Sequence, residues 1–336
     1  MKTIRVAHLG AAHEHSAVTL STVRKYPDAF TVVSLTERDP DVRARAQNLA
    51  AYQGLPWITE EELFARDDID AVLCEGDELL ALDDAYRCIH KGWHVHMDKP
   101  AGTDIKQLEE MLALAQSKRL IFQTGYMYRY NPAMKYVLER VRSGKLGEIL
   151  SIEASMSVCH THEKRAWLNR FQGGMMFFLG CHLIDMVYSL WGTPKRILSF
   201  NQQAENRIRA QDNCLAVFEY EHGTAQIRAN AAEVNGYNRR HLVVCGTEGT
   251  LEIRPLECPT HVYETLACDA EGKMWRDAKH EVFPGYLPGR YDEMMLEFAQ
   301  CIRGEKKNPY SYAYEAQLQR LVLAASGYHV SFTEKE

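Results

Sequence analysis

Five short apolar runs punctuate the first 125 residues: Ile4 to Leu9, Phe30 to Thr36, Ile69 to Cys74, Trp93 to Met97 and Leu120 to Thr124. Between them the apolar positions recur at helical spacing, over Ala17 to Arg24, after Asp39-Pro40, after Thr59, over Leu79 to Ile89 and over Thr103 to Ala115. The ends are signalled as well. Asp39 before Pro40 has the form of an N-cap followed by a first helical proline, and Thr59-Glu60-Glu61-Glu62 is a capping box. Thr103 reads as the cap of the fifth helix, and Gly92 as the stop of the fourth. Strand and helix alternate throughout, which predicts a parallel, doubly wound α/β sheet with right-handed crossovers.

After Gly125 the pattern changes. Asn131-Pro132 starts a helix that runs to Ser143, and longer strands follow: Ile149 to Val158, Lys195 to Asn201, Cys214 to Tyr220, Thr224 to Asn230 and Leu242 to Cys245. Glu221-His222-Gly223 and Thr247-Glu248-Gly249 have the form of hairpin turns, so this half reads as an α+β domain with a mainly antiparallel, open sheet. The expected domains are 1–125, which would bind a dinucleotide, and 126–336, which would bind substrate and drive oligomerisation. The last helices, near Tyr291 to Arg303 and Glu315 to Gly327, are expected to pack back on the first domain. An open sheet face commonly pairs with another subunit, so a homodimer or homotetramer is expected.

Composition narrows the class. A hydrophobic share of 46% and a charged share of 25% over 336 residues are those of a globular protein with a substantial core. The net charge of -6 argues against nucleic acid or an anionic membrane surface as partner. The nine cysteines (Cys74, Cys88, Cys159, Cys181, Cys214, Cys245, Cys258, Cys268 and Cys301) stand singly with no CxxC pair, the pattern of reduced thiols in a cytoplasmic protein. No run approaches the roughly 18 apolar residues of a membrane span, and Ile4 to Leu9 is too short for a signal sequence.

The candidate chemistry starts at Asp98-Lys99-Pro100. The strand Trp93 to Met97 is stopped by Pro100, which holds Lys99 at a strand's carboxyl end, where open α/β sheets bind ligands. A surface lysine in a turn is the competing reading. Gly10 ends the first strand before a helix, a geometry that can hold a pyrophosphate, although G-x-G-x-x-G is met only by Gly10, Ala12 and His15. Glu37 ends the second strand where an acid would accept from the adenosine ribose, favouring NAD over NADP; Arg38 beside it moderates that preference. Farther on, Phe178, His182 and Asp185 are spaced to share one helix face, and His182 is a natural acid/base near neutral pH. A core histidine with a hydrogen-bonded ring is the commoner case for such a position.

Taken in order, the Gly10 turn, Glu37, Asp98-Lys99-Pro100, Gly125 to Pro132 with Arg129, and Gly173-Gly174 to His182-Leu183-Ile184-Asp185 resemble the Gfo/Idh/MocA oxidoreductases over essentially the whole chain. The resemblance implies an amino-terminal Rossmann domain, a carboxyl-terminal α/β domain with an open sheet, NAD(P), and a sugar, cyclitol or related polyol as substrate. It makes Lys99 and His182 the catalytic pair, Lys99 touching nicotinamide and the reacting hydroxyl and His182 acting as acid/base. The candidate cofactor set is Gly10, Ala11, Ala12, His13, Glu37, Arg38, Glu75, Asp98 and Lys99. Arg129, His160, His162, Trp167 and Asp185, with Lys99 and His182, are the candidates for gripping substrate.

The chain also departs from that family. The usual Glu-Lys-Pro is Asp98-Lys99-Pro100, and the aspartate that many members carry four residues before the histidine is Phe178. The common Thr-Pro-Asn followed by a histidine is Glu75-Gly76-Asp77 and then Leu80. These mark a divergent branch and leave three rivals: an NAD-dependent enzyme that cleaves glycosides by transient oxidation and elimination, a ligand sensor without turnover, and a metal enzyme. The last would use His160-x-His162-Glu163 with His182 and Asp185; His94-x-His96 is an equally open pair. No resident metal is expected on the main reading.

Overall fold

The expected alternation is present. In the computed structural model, β1 (Ile4–Leu9) leads through α1 (Ser16–Arg24) to β2 (Phe30–Thr36), then α2 (Pro40–Ala46) and α3 (Glu60–Ala65). β3 (Ala71–Cys74), α4 (Ala81–Lys91), β4 (His94–Met97), α5 (Ile105–Ser117) and β5 (Phe122–Thr124) follow. The structure describes residues 3–257, 260–270 and 278–332. The five strands are all parallel, in the order β2-β1-β3-β4-β5, so the strand order switches direction between β1 and β3. β3 and β4 read as unbroken apolar runs because helices cover the sheet. Val72, Val95, Met97 and Phe122 pack there with Leu82, Ala85 and Ile89 of α4 and Leu108, Met111 and Leu112 of α5.

Most of the helix ends form as their residues dictate. The Asp39 carboxylate accepts from the N–H groups of Asp41 and Val42 at 2.8 and 3.2 Å, and both hydrogen bonds of the Thr59 capping box are present. Gly92 ends α4 in the left-handed region at φ 100°. The cap of α5 is a correction: it is Asp104, not Thr103, whose carboxylate accepts from Lys106 and Gln107. Both residues can cap, but only Asp104 stands one position before the first helical residue.

The chain divides into two compact units, the first Met1–Met127 with Gly289–Gln319, the second Tyr128–Pro288 with Arg320–Glu336. The second begins with α6 (Pro132–Arg142), capped by Asn131, and continues through β6 (Ile149–Ser157), α7 (His162–Trp167) and α8 (Cys181–Trp191). β7 (Arg196–Gln202), β8 (Asn213–Tyr220), β9 (Gly223–Asn230), β10 (His241–Gly246), β11 (Gly249–Ile253), β12 (Val262–Leu266) and β13 (His280–Val282) complete its sheet among the described residues. The order is β13-β12-β11-β10-β6-β9-β8-β7, antiparallel at every step except the β6/β9 pair. Both expected hairpins form, β8 to β9 and β10 to β11. One face is core: Ile152, Ala154, Met156, Ala216, Phe218, Ile227 and Val244 are buried. The other is open, with Leu198 and Phe200 exposed.

A turn of π-helix, Met176–Gly180, precedes α8. Its wider winding breaks the 3.6-residue register, so the face expected to carry Phe178, His182 and Asp185 together holds only for the last two. The carboxyl-terminal helices are α9 (Asp292–Ile302), in the first unit, and α10 (Tyr312–Ala325). No described helix is long and apolar enough to cross a membrane. The described cysteines are all free; Cys258 lies outside the described residues.

Candidate active site

In the first unit the site is built on the carboxyl ends of β1, β3 and β4. Gly10 leaves β1 at φ 88°, and a Cβ there would overlap the backbone of Gly76, which follows β3. Only glycine meets both demands. The helix that opens next has no side-chain cap and no acid in its first turn, and its Ser16 and Val18 N–H groups donate to the His13 and His15 carbonyls. Glu37, at the end of β2, braces the turn: one carboxylate oxygen accepts from the Ala11 N–H at 2.6 Å and the other from Asp39 at 2.9 Å. A cavity of about 240 Å3 opens beside it, lined among others by Gly10, Ala12, Glu37, Arg38, Gly76 and Asp77. The Arg38 guanidinium donates to Glu60 at 2.7 Å and to Asp84 at 2.5 Å.

Lys99 is 2% exposed, which removes the reading of a surface lysine in a turn. Around it the same strand ends gather a buried ionisable cluster. The Asp98 carboxylate lies 3.0 Å from His15 Nδ1 and 3.4 Å from His13 Nδ1. His13 also faces Glu75 and Glu78, each at 3.9 Å, and Glu75 faces His96 Nε2 at 3.7 Å. Burial would raise the Asp98 carboxyl, but His13 and His15 beside it outweigh that and hold it well below the usual range. Glu75 goes the other way: burial, with the Asp98 charge added, pushes its carboxyl well above the usual range. Burial also drives the His13 imidazole down to about 3, so it is neutral near pH 7.

In the second unit His182 is 2% exposed on α8, with the Tyr128 ring edge-on at 5.1 Å. Arg129 and Asp185 hold each other: the guanidinium donates to both carboxylate oxygens, at 2.8 to 3.0 Å, inside the core. Trp167 and Phe178 meet edge to face at 5.2 Å, and the Lys164 ammonium lies 3.5 Å from the Trp167 ring centre and 4.6 Å from that of Phe178. Phe178 is thus part of an aromatic wall. His160 is half-buried, its N–H bonded to the Ala231 carbonyl, while His162 is exposed and 3.7 Å from Glu205.

Among the described residues, the single group with metal-like donor spacing is His13, His15 and Asp98, not the His160, His162, Glu163, His182 and Asp185 set. His94 Nδ1 accepts from the Ile121 N–H and His96 Nδ1 bonds the Gln123 side chain, and the two do not form a metal-like group among the described residues.

The family model of the GFO/IDH/MocA C-terminal domain matches residues 134–252, which cover α6 through most of β11. Residues 134–252 thus match the C-terminal domain of the GFO/IDH/MocA family. An uncharacterised oxidoreductase of Schizosaccharomyces pombe is 25% identical over 204 residues, 59% of this chain and 54% of that protein. The chain thus spans about half the length of the curated relatives it matches first. A levoglucosan dehydrogenase in complex with NADH and L-sorbose superposes with a TM-score of 0.82, at 15% identity, over 97% of each chain. A 3-ketoreductase from Actinomadura kijaniata with NADP and TDP-benzene gives 0.80, at 20% identity, over 97% of this chain and 98% of that one. At these identities the likeness establishes the family's fold: a parallel first sheet and a mainly antiparallel second one.

Against the family pattern, the substitutions in the first unit go together. Glu75, Asp98 and His15, expected to depart from it in separate segments, gather around His13. Sequence reading singled out His13, Glu75 and Asp98 one at a time and missed Glu78 and the role of His15. The signal for the cluster was the excess of charged and imidazole residues directly after three predicted strands.

Proposed function

We propose that the chain is an oxidoreductase that moves a hydride between a nicotinamide cofactor and a secondary alcohol of a sugar, cyclitol or related polyol. The observation that carries this reading is Lys99, a cation buried at the carboxyl end of a parallel strand in the same unit as the switch-point turn. The residues fit a dinucleotide: Gly10 gives the backbone a close approach, the positive end of α1 follows it with no acid in its first turn, and Glu37 stands in the adjoining cavity. When bound, the nicotinamide supplies the hydride acceptor or donor. Lys99 stabilises negative charge developing on the reacting oxygen, and His182 takes or returns the hydroxyl proton. Trp167 offers a ring face to a sugar, and Arg129, held by Asp185, is a pre-set donor; His160 and His162 are further candidates for its hydroxyls.

NAD is favoured over NADP because the Glu37 carboxylate repels a 2′-phosphate and Arg38 is already paired with Glu60 and Asp84. The names of relatives support a sugar-like substrate: besides the levoglucosan dehydrogenase, a dTDP-3,4-didehydro-2,6-dideoxy-α-D-glucose 3-reductase of Streptomyces antibioticus is 28% identical over 46% of this chain and of that protein. The free cysteines support a reducing, cytoplasmic setting.

The test is a screen of sugars and polyols for NADH formation, repeated with Lys99→Met and His182→Ala. Each substitution is expected to lower kcat by about 100-fold or more while leaving NADH affinity nearly intact. Full activity in both variants contradicts the assignment. Phe178, in an aromatic wall where the family resemblance would place an aspartate, favours one second reading, oxidation followed by elimination. Release of aryl alcohol from aryl glycosides with no net NADH would identify it.

A further inference from the structure

We propose that His13, His15 and Asp98 bind a divalent transition-metal ion, with Glu75 as a fourth donor beside them. One donor atom from each of the first three lies within 4.8 Å of the others. Two of the three edges are already short, 3.0 Å from Asp98 Oδ2 to His15 Nδ1 and 3.4 Å from the same oxygen to His13 Nδ1. A tetrahedral ion with zinc-like bonds holds its ligand atoms about 3.4 Å apart. The geometry needs little movement to close on an ion.

Two independent observations point to an occupant. First, the His15 backbone N–H donates to His13 Nδ1 at 3.1 Å, so this nitrogen carries no proton, and an ion would take over the lone pair that this N–H now holds. The nitrogen therefore faces the Asp98 oxygen as one acceptor faces another, an arrangement that a cation between them relieves. Second, Glu75 is fully buried with neither carboxylate oxygen hydrogen-bonded, and His13 Nε2 and His96 Nε2 are buried without a hydrogen bond as well. Glu75 Oε2 lies 3.9 Å from His13 Nδ1, on the side of the cluster. Buried polar atoms are almost always bonded, so an unbonded Glu75 carboxylate oxygen beside His13 Nδ1 indicates a missing partner.

Two imidazoles and a carboxylate select an ion of the zinc, iron or cobalt class over magnesium or calcium, which prefer oxygen alone. The donors come from the turn after β1 and the ends of β3 and β4, so the ion would tie three strand ends together.

The test is titration of the chelator-treated full chain with Zn2+ by calorimetry and with Co2+ by visible absorption. Saturable binding of one ion per chain is expected, with cobalt d–d bands of a nitrogen and oxygen site. Affinity is expected to fall by at least about 100-fold in His13→Asn and in His15→Asn, more than changes outside the ligand set cause. His222→Asn, in an exposed hairpin turn, is expected to leave it unchanged. Circular dichroism checks the fold; if His13→Asn unfolds, the partly exposed His15 carries the comparison. No saturable binding by the wild-type chain overturns the proposal, as does binding that His15→Asn leaves unchanged.

Discussion

Lys99, Glu75, Asp98, His13 and His96 show what it takes to bury ionisable side chains: each is almost wholly removed from water, and the group is tolerable only because its members face one another. His8 is the simplest case. It is buried beside Ser16 and feels His96, and burial drives its imidazole from 6.5 down to about 4. Between those pH values the unfolded chain takes up a proton that the folded chain refuses. Stability is therefore full above about pH 6.5 and falls as pH drops toward 4, by up to about 3 kcal/mol from this residue. His8→Gln is expected to flatten the decline of Tm over that range; an unchanged pH dependence would contradict the assignment. At this scale the sequence was legible wherever a local rule applied. Lys99 was marked by the proline behind it, but the pairing of His13 with Asp98 depends on which strands are neighbours, and no local pattern encodes that.

At the scale of elements, the turn between β1 and α1 is the part with the least freedom. Gly10 has a positive φ and no room for a Cβ against Gly76. Gly10→Ala is expected to cost about 1–3 kcal/mol in strain and to weaken NADH binding by at least about tenfold, read by thermal melting and by cofactor titration. Wild-type behaviour in both would mean the turn does not set the site. Helix ends were readable because capping is local chemistry: Asp39, Thr59 and Asn131 all cap as expected. Asp104 displaced Thr103 because two capping residues in succession leave the choice to the register of α5. The π-turn at Met176–Gly180 has no compositional mark, so its effect on Phe178 and His182 could not be read beforehand. β12 and β13 were missed because they are short and their residues are only partly buried, which gives little alternation to detect.

For the whole molecule, the parallel sheet and the mainly antiparallel sheet were both legible, because alternating helix and strand and successive hairpins have different periodicities. The open face of the second sheet bears Leu198 and Phe200, each at least 39% exposed. A homodimer or homotetramer through this face is the expected assembly, and Leu198→Lys with Phe200→Glu should shift it toward monomer in light scattering. A wild-type monomer would contradict this. The central claim is that the first unit holds a nicotinamide dinucleotide and prefers NAD. The most direct measurement is titration of the cofactor-stripped chain with NADH and NADPH, followed by nicotinamide fluorescence. Saturable NADH binding, about tenfold or more tighter than NADPH, is the expected result; binding of neither would contradict the account at its root.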